Sequence, residues 1–192
     1  GTVRGVGEVT TVTTGVLSET IRSAIKGTSE VGGDIGGATR GAAEGVASVT
    51  KGVGLALQDA SFSVAIAAIQ GTKDVGANLG NTAKHTVQGT IKGAAEVSGD
   101  AMSAVYGTAH GLIKGTAGVG GDVAEVARST AHGAISITKD LNLSVQDMAF
   151  SVSKGAIEGT KDVGANLANT AKHTVQGTIK GAAEVSGDAM SA

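Results

Sequence analysis

Residues 71–104 read GTKDVGANLGNTAKHTVQGTIKGAAEVSGDAMSA, and residues 159–192 repeat that text with one change, Gly80 to Ala168. A shorter period lies inside this echo. Written in 22-residue rows, the chain aligns from Gly1 to Ala192 with no insertion or deletion, and the echo returns after four rows. The third place in successive rows holds Val3, Ile25, Ala47, Ile69, Ile91, Ile113, Ile135, Ile157 and Ile179. The ninth holds Val9, Val31, Val53, Val75, Val97, Val119, Leu141, Val163 and Val185. Such a chain is quasi-one-dimensional, each unit contacting its neighbours. Residues 1–192 form a single tandem array of 22-residue units within an 88-residue super-repeat, and we expect them to be a segment of a longer array.

Each row is two elevens, and an eleven makes nearly three turns of α-helix. On a helical wheel, places 4, 7, 8 and 11 of the eleven share one arc, which carries Lys26, Glu30, Lys92, Glu96, Lys180 and Glu184. The other places are mostly Gly, Ala, Val, Ile and Thr. This segregation predicts amphipathic helices. The apolar arc is wide, which calls for neighbours on two sides. The expected fold is all-α, with long glycine-rich amphipathic helices packed side by side. A β-solenoid with one row per coil is the alternative, because 133–141 (GAISITKDL) alternates like a strand. The stretches DVAEVARSTAH (122–132) and GTIKGAAEV (89–97) favour helix. Gly-Gly pairs at 32–33, 36–37 and 120–121 are the turn candidates. The phase runs through them, so either the helix is continuous or each turn replaces helical residues without changing the count.

Glycine sharpens the reading. Places 1 and 5 of the row are both glycine in Gly1/Gly5, Gly89/Gly93, Gly111/Gly115, Gly155/Gly159 and Gly177/Gly181. Glycines four apart share a helix face and let another backbone approach, so these ten are the predicted close-packing residues. The chain holds 32 glycines. At about 1 kcal/mol each relative to alanine, they cost of order 30 kcal/mol if all are helical. A lone helix could not carry that in water. Another copy, another part of the chain or a lipid surface must cover the glycine face.

Place 18 carries a second pattern: Ser18, Arg40, Phe62, Lys84, Tyr106, Arg128, Phe150, Lys172. Every Phe and Tyr of the chain is there, alternating with basic residues. A neighbouring helix offset by one row would set each ring beside a base, and cation–π contact would contribute about 0.5–2 kcal/mol per pair. Arg40, Phe62, Lys84, Tyr106, Arg128, Phe150 and Lys172 are therefore the predicted register residues.

Composition excludes several function classes. Net charge is −2 with mixed signs, without the basic face that nucleic acid requires. There is no cysteine and no proline. The longest runs free of charge, 60–72 and 101–113, are too short to span a bilayer as a helix. No phosphate loop, HExxH or nucleophile elbow occurs, and His85, His110, His132 and His173 are spaced as solvated or packing residues. No catalytic, cofactor or metal residue is predicted, and no enzymatic activity is expected.

The stretch Gly159-Thr160-Lys161-Asp162, followed by Thr174-Val175-Gln176-Gly177-Thr178, resembles the 11-residue repeats of the perilipins. The resemblance covers about one row in four. It implies amphipathic helices that coat lipid droplets. The chain departs from that family in its 22- and 88-residue units, its balanced polar arc and its paired glycines.

Three functions stand as expectations. The first is a structural protein whose helices self-associate through Gly/Ala/Val/Thr faces into a filament or tube, with its own copies as partners; a structural filament would fit an extracellular setting. The second is a helix that binds a lipid surface. The third is a stress or ice-binding protein, in which Thr28, Thr50, Thr72, Thr116, Thr138 and Thr160, all at one row place, match a lattice.

Overall fold

In the computed structural model the backbone is described for residues 2–191 and side chains for residues 13–187. Eight helices follow one another: α1 (Thr2–Glu30), α2 (Ile35–Val49), α3 (Leu57–Asp74), α4 (Leu79–Glu96), α5 (Ala101–Gly118), α6 (Val123–Ser136), α7 (Val145–Asp162) and α8 (Leu167–Ser191). There is no strand among the described residues, so the β-solenoid alternative falls, and 133–141 is the end of α6 and its turn.

The repeating row is one helix plus one turn. From α2 onward the helices begin at Ile35, Leu57, Leu79, Ala101, Val123, Val145 and Leu167, each one full row after the last. The turns therefore replace helical residues without changing the count. They have a shared chemistry. Gly32, Gly54, Gly76, Ser98, Gly120, Asn142 and Gly164 all take positive φ, again one per row. This left-handed residue reverses the chain and closes a Schellman motif. After α3, the amide of Gly76 donates to Lys73 O at 3.1 Å and that of Ala77 to Thr72 O at 3.0 Å. Two residues later comes the N-cap. Asn78, Asp100, Asp122, Ser144 and Asn166 each accept from a backbone amide of the next helix, which satisfies donors that a helix start leaves open. Of the three Gly-Gly candidates, 32–33 and 120–121 are turns, whereas 36–37 lies in the first turn of α2.

The short turns fold successive helices back on one another, but each helix packs most extensively on the one two along. The result is two layers: α1, α3, α5 and α7 in one, α2, α4, α6 and α8 in the other. Within a layer the helices run parallel. Three apolar clusters fill the space between layers, such as Ala65, Ile69, Ala83, Leu112, Ile113, Val126, Ala127 and Ala156. The third row place is buried at Ile25, Ala47, Ile69, Ile91, Ile113 and Ile135. The ninth is not core. Val75, Val97, Val119 and Val163 are helix C-caps, half-buried beneath the turns, and Val31 is 82% exposed.

Buried threonines join the layers. Thr72, Thr116, Thr138 and Thr160 are 0% exposed and Thr50 is 3% exposed. Each hydroxyl donates to a carbonyl one turn back in its own helix. Thr72 also meets Thr82 at 2.7 Å, and Thr160 meets Thr170 at 3.0 Å. This corrects the ice-binding expectation. Thr28, the sixth, is half-buried and its hydroxyl donates to Ala24 O at 2.7 Å. A row with five of its six threonines sealed in the interior presents no hydroxyl lattice to water or ice. Its role is packing, with the buried oxygen satisfied locally.

Candidate functional site

The glycines mark where backbones meet. A Cβ at Gly111 would lie 2.5 Å from Phe62 O, one at Gly155 2.6 Å from Tyr106 O, and one at Gly181 2.8 Å from Ile135 Cβ. Gly89 and Gly93 face the carbonyls of Arg40 and Glu44, Gly159 faces His110 and Ile113, Gly177 faces Arg128, and Gly115 faces Ile66. Gly71, Gly107 and Gly133, which the row pattern did not single out, do the same against Arg22, Gln58 and Lys84. The partner stands two rows and five places earlier in pair after pair, as in Gly89 on Arg40, Gly133 on Lys84 and Gly177 on Arg128. A constant offset is the signature of parallel helices in one layer. The surroundings of Gly1 and Gly5 lie outside the described residues.

Polar contacts hold the same register from the solvent side. Arg22 meets Asp74 at 2.6 Å, His110 meets Asp162 at 2.6 Å and His132 meets Glu184 at 2.7 Å. Each pair is 52 residues apart. Exposed pairs like these contribute about 0–1 kcal/mol each, so they select the register more than they stabilise the fold.

The place-18 pattern has a different meaning from the one expected. Phe62, Tyr106 and Phe150 stand on α3, α5 and α7, whereas Arg40, Lys84, Arg128 and Lys172 stand on α2, α4, α6 and α8. The alternation is the alternation of layers. Helices one row apart lie in opposite layers, so ring and base do not meet by that offset. The cations over the rings come from the same layer: Lys114 lies 5.7 Å from the Phe62 centroid and Lys154 lies 5.8 Å from that of Tyr106. His110 stacks at a tilt beside Phe62, centroids 5.0 Å apart. Phe150 is 69% exposed.

The two ends of the stack are where these rules stop. On α1 and α2, Gly27, Gly41 and Gly45 have nothing within 4 Å of the position a Cβ would take. Val49, beside them, is 55% exposed. On α8, Leu167, Val175 and Ile179 are 46%, 58% and 64% exposed. Their counterparts four rows earlier are Leu79, half-buried, and Val87 and Ile91, both 0% exposed. Among the described residues no group of three His, Cys, Asp or Glu could hold a metal, and no helix is long and apolar enough to cross a membrane. Surface grooves run along helix seams, as between Arg128, His132, Gln176 and Lys180.

No family model matches the chain, and no curated protein matches it. Among solved structures it is similar to the crystal structure of a de novo designed helical repeat protein. The two are 18% identical with a TM-score of 0.48, over 89% of this chain and 95% of that one. The eight paired helices themselves show a helical repeat fold.

Proposed function

We propose that the chain is a non-enzymatic structural protein, a two-layer helical stack that associates with further copies of itself. The companion surface that the glycines require is supplied within the chain for the interior helices, as at Gly89 on Arg40 and Gly133 on Lys84. The observation that carries this reading is the constant offset at which one backbone lies on the next, as in Gly89 on Arg40, Gly133 on Lys84 and Gly177 on Arg128. A parallel seam of one fixed register can be continued by further helices, of this chain or of another copy. Sedimentation velocity across a wide concentration range tests the reading, with growing oligomers as the expected outcome. A dispersed monomer at every concentration would overturn it.

A lipid-surface role, implied by the perilipin resemblance carried by Gly159-Thr160-Lys161-Asp162 and Thr174-Val175-Gln176-Gly177-Thr178, is the second reading. Circular dichroism separates the two. Full helicity in plain buffer supports the packed stack, whereas helix that forms only with phospholipid vesicles supports the lipid coat.

A further inference from the structure

The first turn of α2 rests on a histidine of α4, and we propose that His85 is an acid-sensitive latch: a proton taken up by its imidazole releases that turn from α4. The α2–α4 seam lies inside the chain, so the inference stands apart from self-association. The repeat does not demand an imidazole there. The same row place is Gly41 on α2 and Ser129 on α6, and histidine occupies it only on α4 and, four rows on, as His173 on α8.

Two observations carry it. The first is the seat of the ring. A Cβ at Gly36 would lie 2.8 Å from His85 Cδ2 and 2.9 Å from Nε2. One edge of the imidazole is thus pressed on the bare backbone of α2, where Gly36 is buried. The other nitrogen, Nδ1, is buried without a hydrogen-bond partner. The second observation is on α2 itself. Its N-cap, Asp34, makes no side-chain hydrogen bond to the helix start, unlike the caps of α4, α5, α6 and α7. Gly36 and Gly37 follow, and only proline forms helix less readily than glycine. This turn keeps its shape by packing, and His85 is part of what it packs on. His173 repeats the buried Nδ1, but Ala124 stands in the place of Gly36 there and the Asp122 cap ties the α6 turn.

A neutral imidazole has one N–H and one bare nitrogen, whereas an imidazolium has N–H on both. With Nδ1 bare, the neutral ring fits the seam. Protonation puts a donor and a charge at Nδ1, where there is no acceptor, and a buried donor or charge without a partner is costly. The cost is relieved when the ring swings out to water and the α2 turn loses its seat. The surrounding charges do not cancel it. From α2, Asp34 favours the charged ring and Arg40 opposes it; on α4 itself Lys84 opposes it. Farther along the seam stand Glu44 on α2 and Lys92 and Glu96 on α4. On the other flank α6 sets Glu125 beside Gly80. From below, α3 and α5 meet α4 through threonines, Thr72 on Thr82 and Thr108 on Thr90. Burial is the largest influence and holds the His85 pKa below the ordinary histidine value of about 6.5. The unfolded chain therefore binds this proton more tightly than the folded one. Stability from the neutral ring is complete above about pH 6.5 and is lost as pH falls towards the lowered folded value.

The test uses the whole chain and reads amide hydrogen exchange as protection factors, which removes the intrinsic pH dependence of exchange. The Ala38 amide donates to Asp34 O and closes the first turn of α2; the Ala104 and Met148 amides do the same for α5 and α7. From about pH 7.5 to about pH 5.5, a span that brackets the ordinary histidine value, protection at Ala38 should fall at least about threefold. Protection at Ala104 and Met148 should hold. His85→Gln takes up no proton in this span and should abolish the fall. A second readout needs no variant: the imidazole C2–H resonance of His85 should titrate in step with the loss at Ala38. Flat protection at Ala38 across the span would overturn the latch, as would a fall that persists in His85→Gln. A ring that titrates while Ala38 stays protected would overturn it too, even where the variant does not fold.

Discussion

The segments 71–104 and 159–192 share all but one residue, and they do not fold alike. Both begin as the end of one helix, turn at Gly76 or Gly164, and start the next at Leu79 or Leu167. From there they part. In the first, α4 stops at Glu96, Ser98 takes φ 54°, and α5 begins at Ala101. In the second, the same Val-Ser-Gly-Asp text stays helical and α8 runs to Ser191. Ser98 is strained in the left-handed region, which costs an L-residue about 1–2 kcal/mol. In the first segment, docking of α5 against α3 offsets that strain; no element follows α8 among the described residues to do the same. Among the described residues Val-Ser-Gly-Asp is thus a conditional turn, formed where α5 packs behind it on α3 and helical where no following helix is described. The one substitution between the segments fits the same account. Gly80 is pressed by α6, whereas Ala168 is exposed.

The largest contrast should be at the isoleucine that both segments carry. Ile91 is 0% exposed and Ile179 is 64% exposed. Ile91→Ala removes a filled core position and should destabilise by about 2–5 kcal/mol. Ile179→Ala should stay within about 0.5 kcal/mol in dilute monomer. Denaturant unfolding of the two variants measures both, and equal losses would break the comparison at its base.

Where the segments have the same surroundings, they should behave alike. Gly89 faces Arg40 and Ala43 of α2, and Gly177 faces Arg128 and Ala131 of α6. Both rest on a helix already in place, so Gly89→Ala and Gly177→Ala should each overpack their seam and cost about 1–3 kcal/mol. Gly45→Ala, in open space, should instead stabilise the monomer by about 1 kcal/mol through helix propensity. Thermal melts compare the three. A stabilising Gly89→Ala would show that the seam is looser than its geometry.

This dependence on neighbours explains what the sequence could and could not tell. The period, the helical class and the need to cover the glycines were legible, because each is a local or additive property. The turns were harder. Only Gly32 and Gly120 announced themselves as Gly-Gly, while Ser98 and Asn142 occupy the same left-handed place without a glycine. The ninth-place valines also carried apolar periodicity straight through the turns, so the row looked like unbroken helix. The constant offset between glycine and carbonyl was invisible, because it arises from three-dimensional stacking. The alternation at place 18 was seen and misread. Its cause is the odd and even layers, and nothing in a linear pattern separates a layer switch from a side-by-side contact.

A smaller effect, of opposite sign in the two segments, should appear at the serine of the conditional turn. Ser98→Gly relieves the left-handed strain and should stabilise by about 1 kcal/mol. Ser186→Gly places glycine inside α8 and should weaken that helix by about 0.5 kcal/mol or less. Amide hydrogen exchange over 97–100 and 185–187 reads each locally. Matching signs would mean that both stretches take the same backbone in solution.

The subtlest contrast is between two glutamates with the same sequence around them, Glu96 and Glu184. Two helices back along the layer, Glu96 faces Glu44 and Glu184 faces His132. A hydrogen bond shared with the Glu44 carboxyl, reinforced by like-charge repulsion, raises the Glu96 pKa above the ordinary glutamate value. The hydrogen bond from His132 lowers that of Glu184. The linkage signs follow from these directions. The Glu96 contribution is present below the unfolded glutamate pKa and is lost as pH rises through the raised folded value. The Glu184 contribution is present above the unfolded value and is lost as pH falls through the depressed folded one. On acidification Glu96 should therefore take up its proton first and Glu184 last, as carboxyl-carbon NMR titration would record. Glu44→Gln should bring Glu96 down and His132→Gln should bring Glu184 up, so that the pair converges. Coincident titration in the wild type would mean that the glutamates do not sense the helix two along, and the layer register would then have to be held by the glycine seams alone.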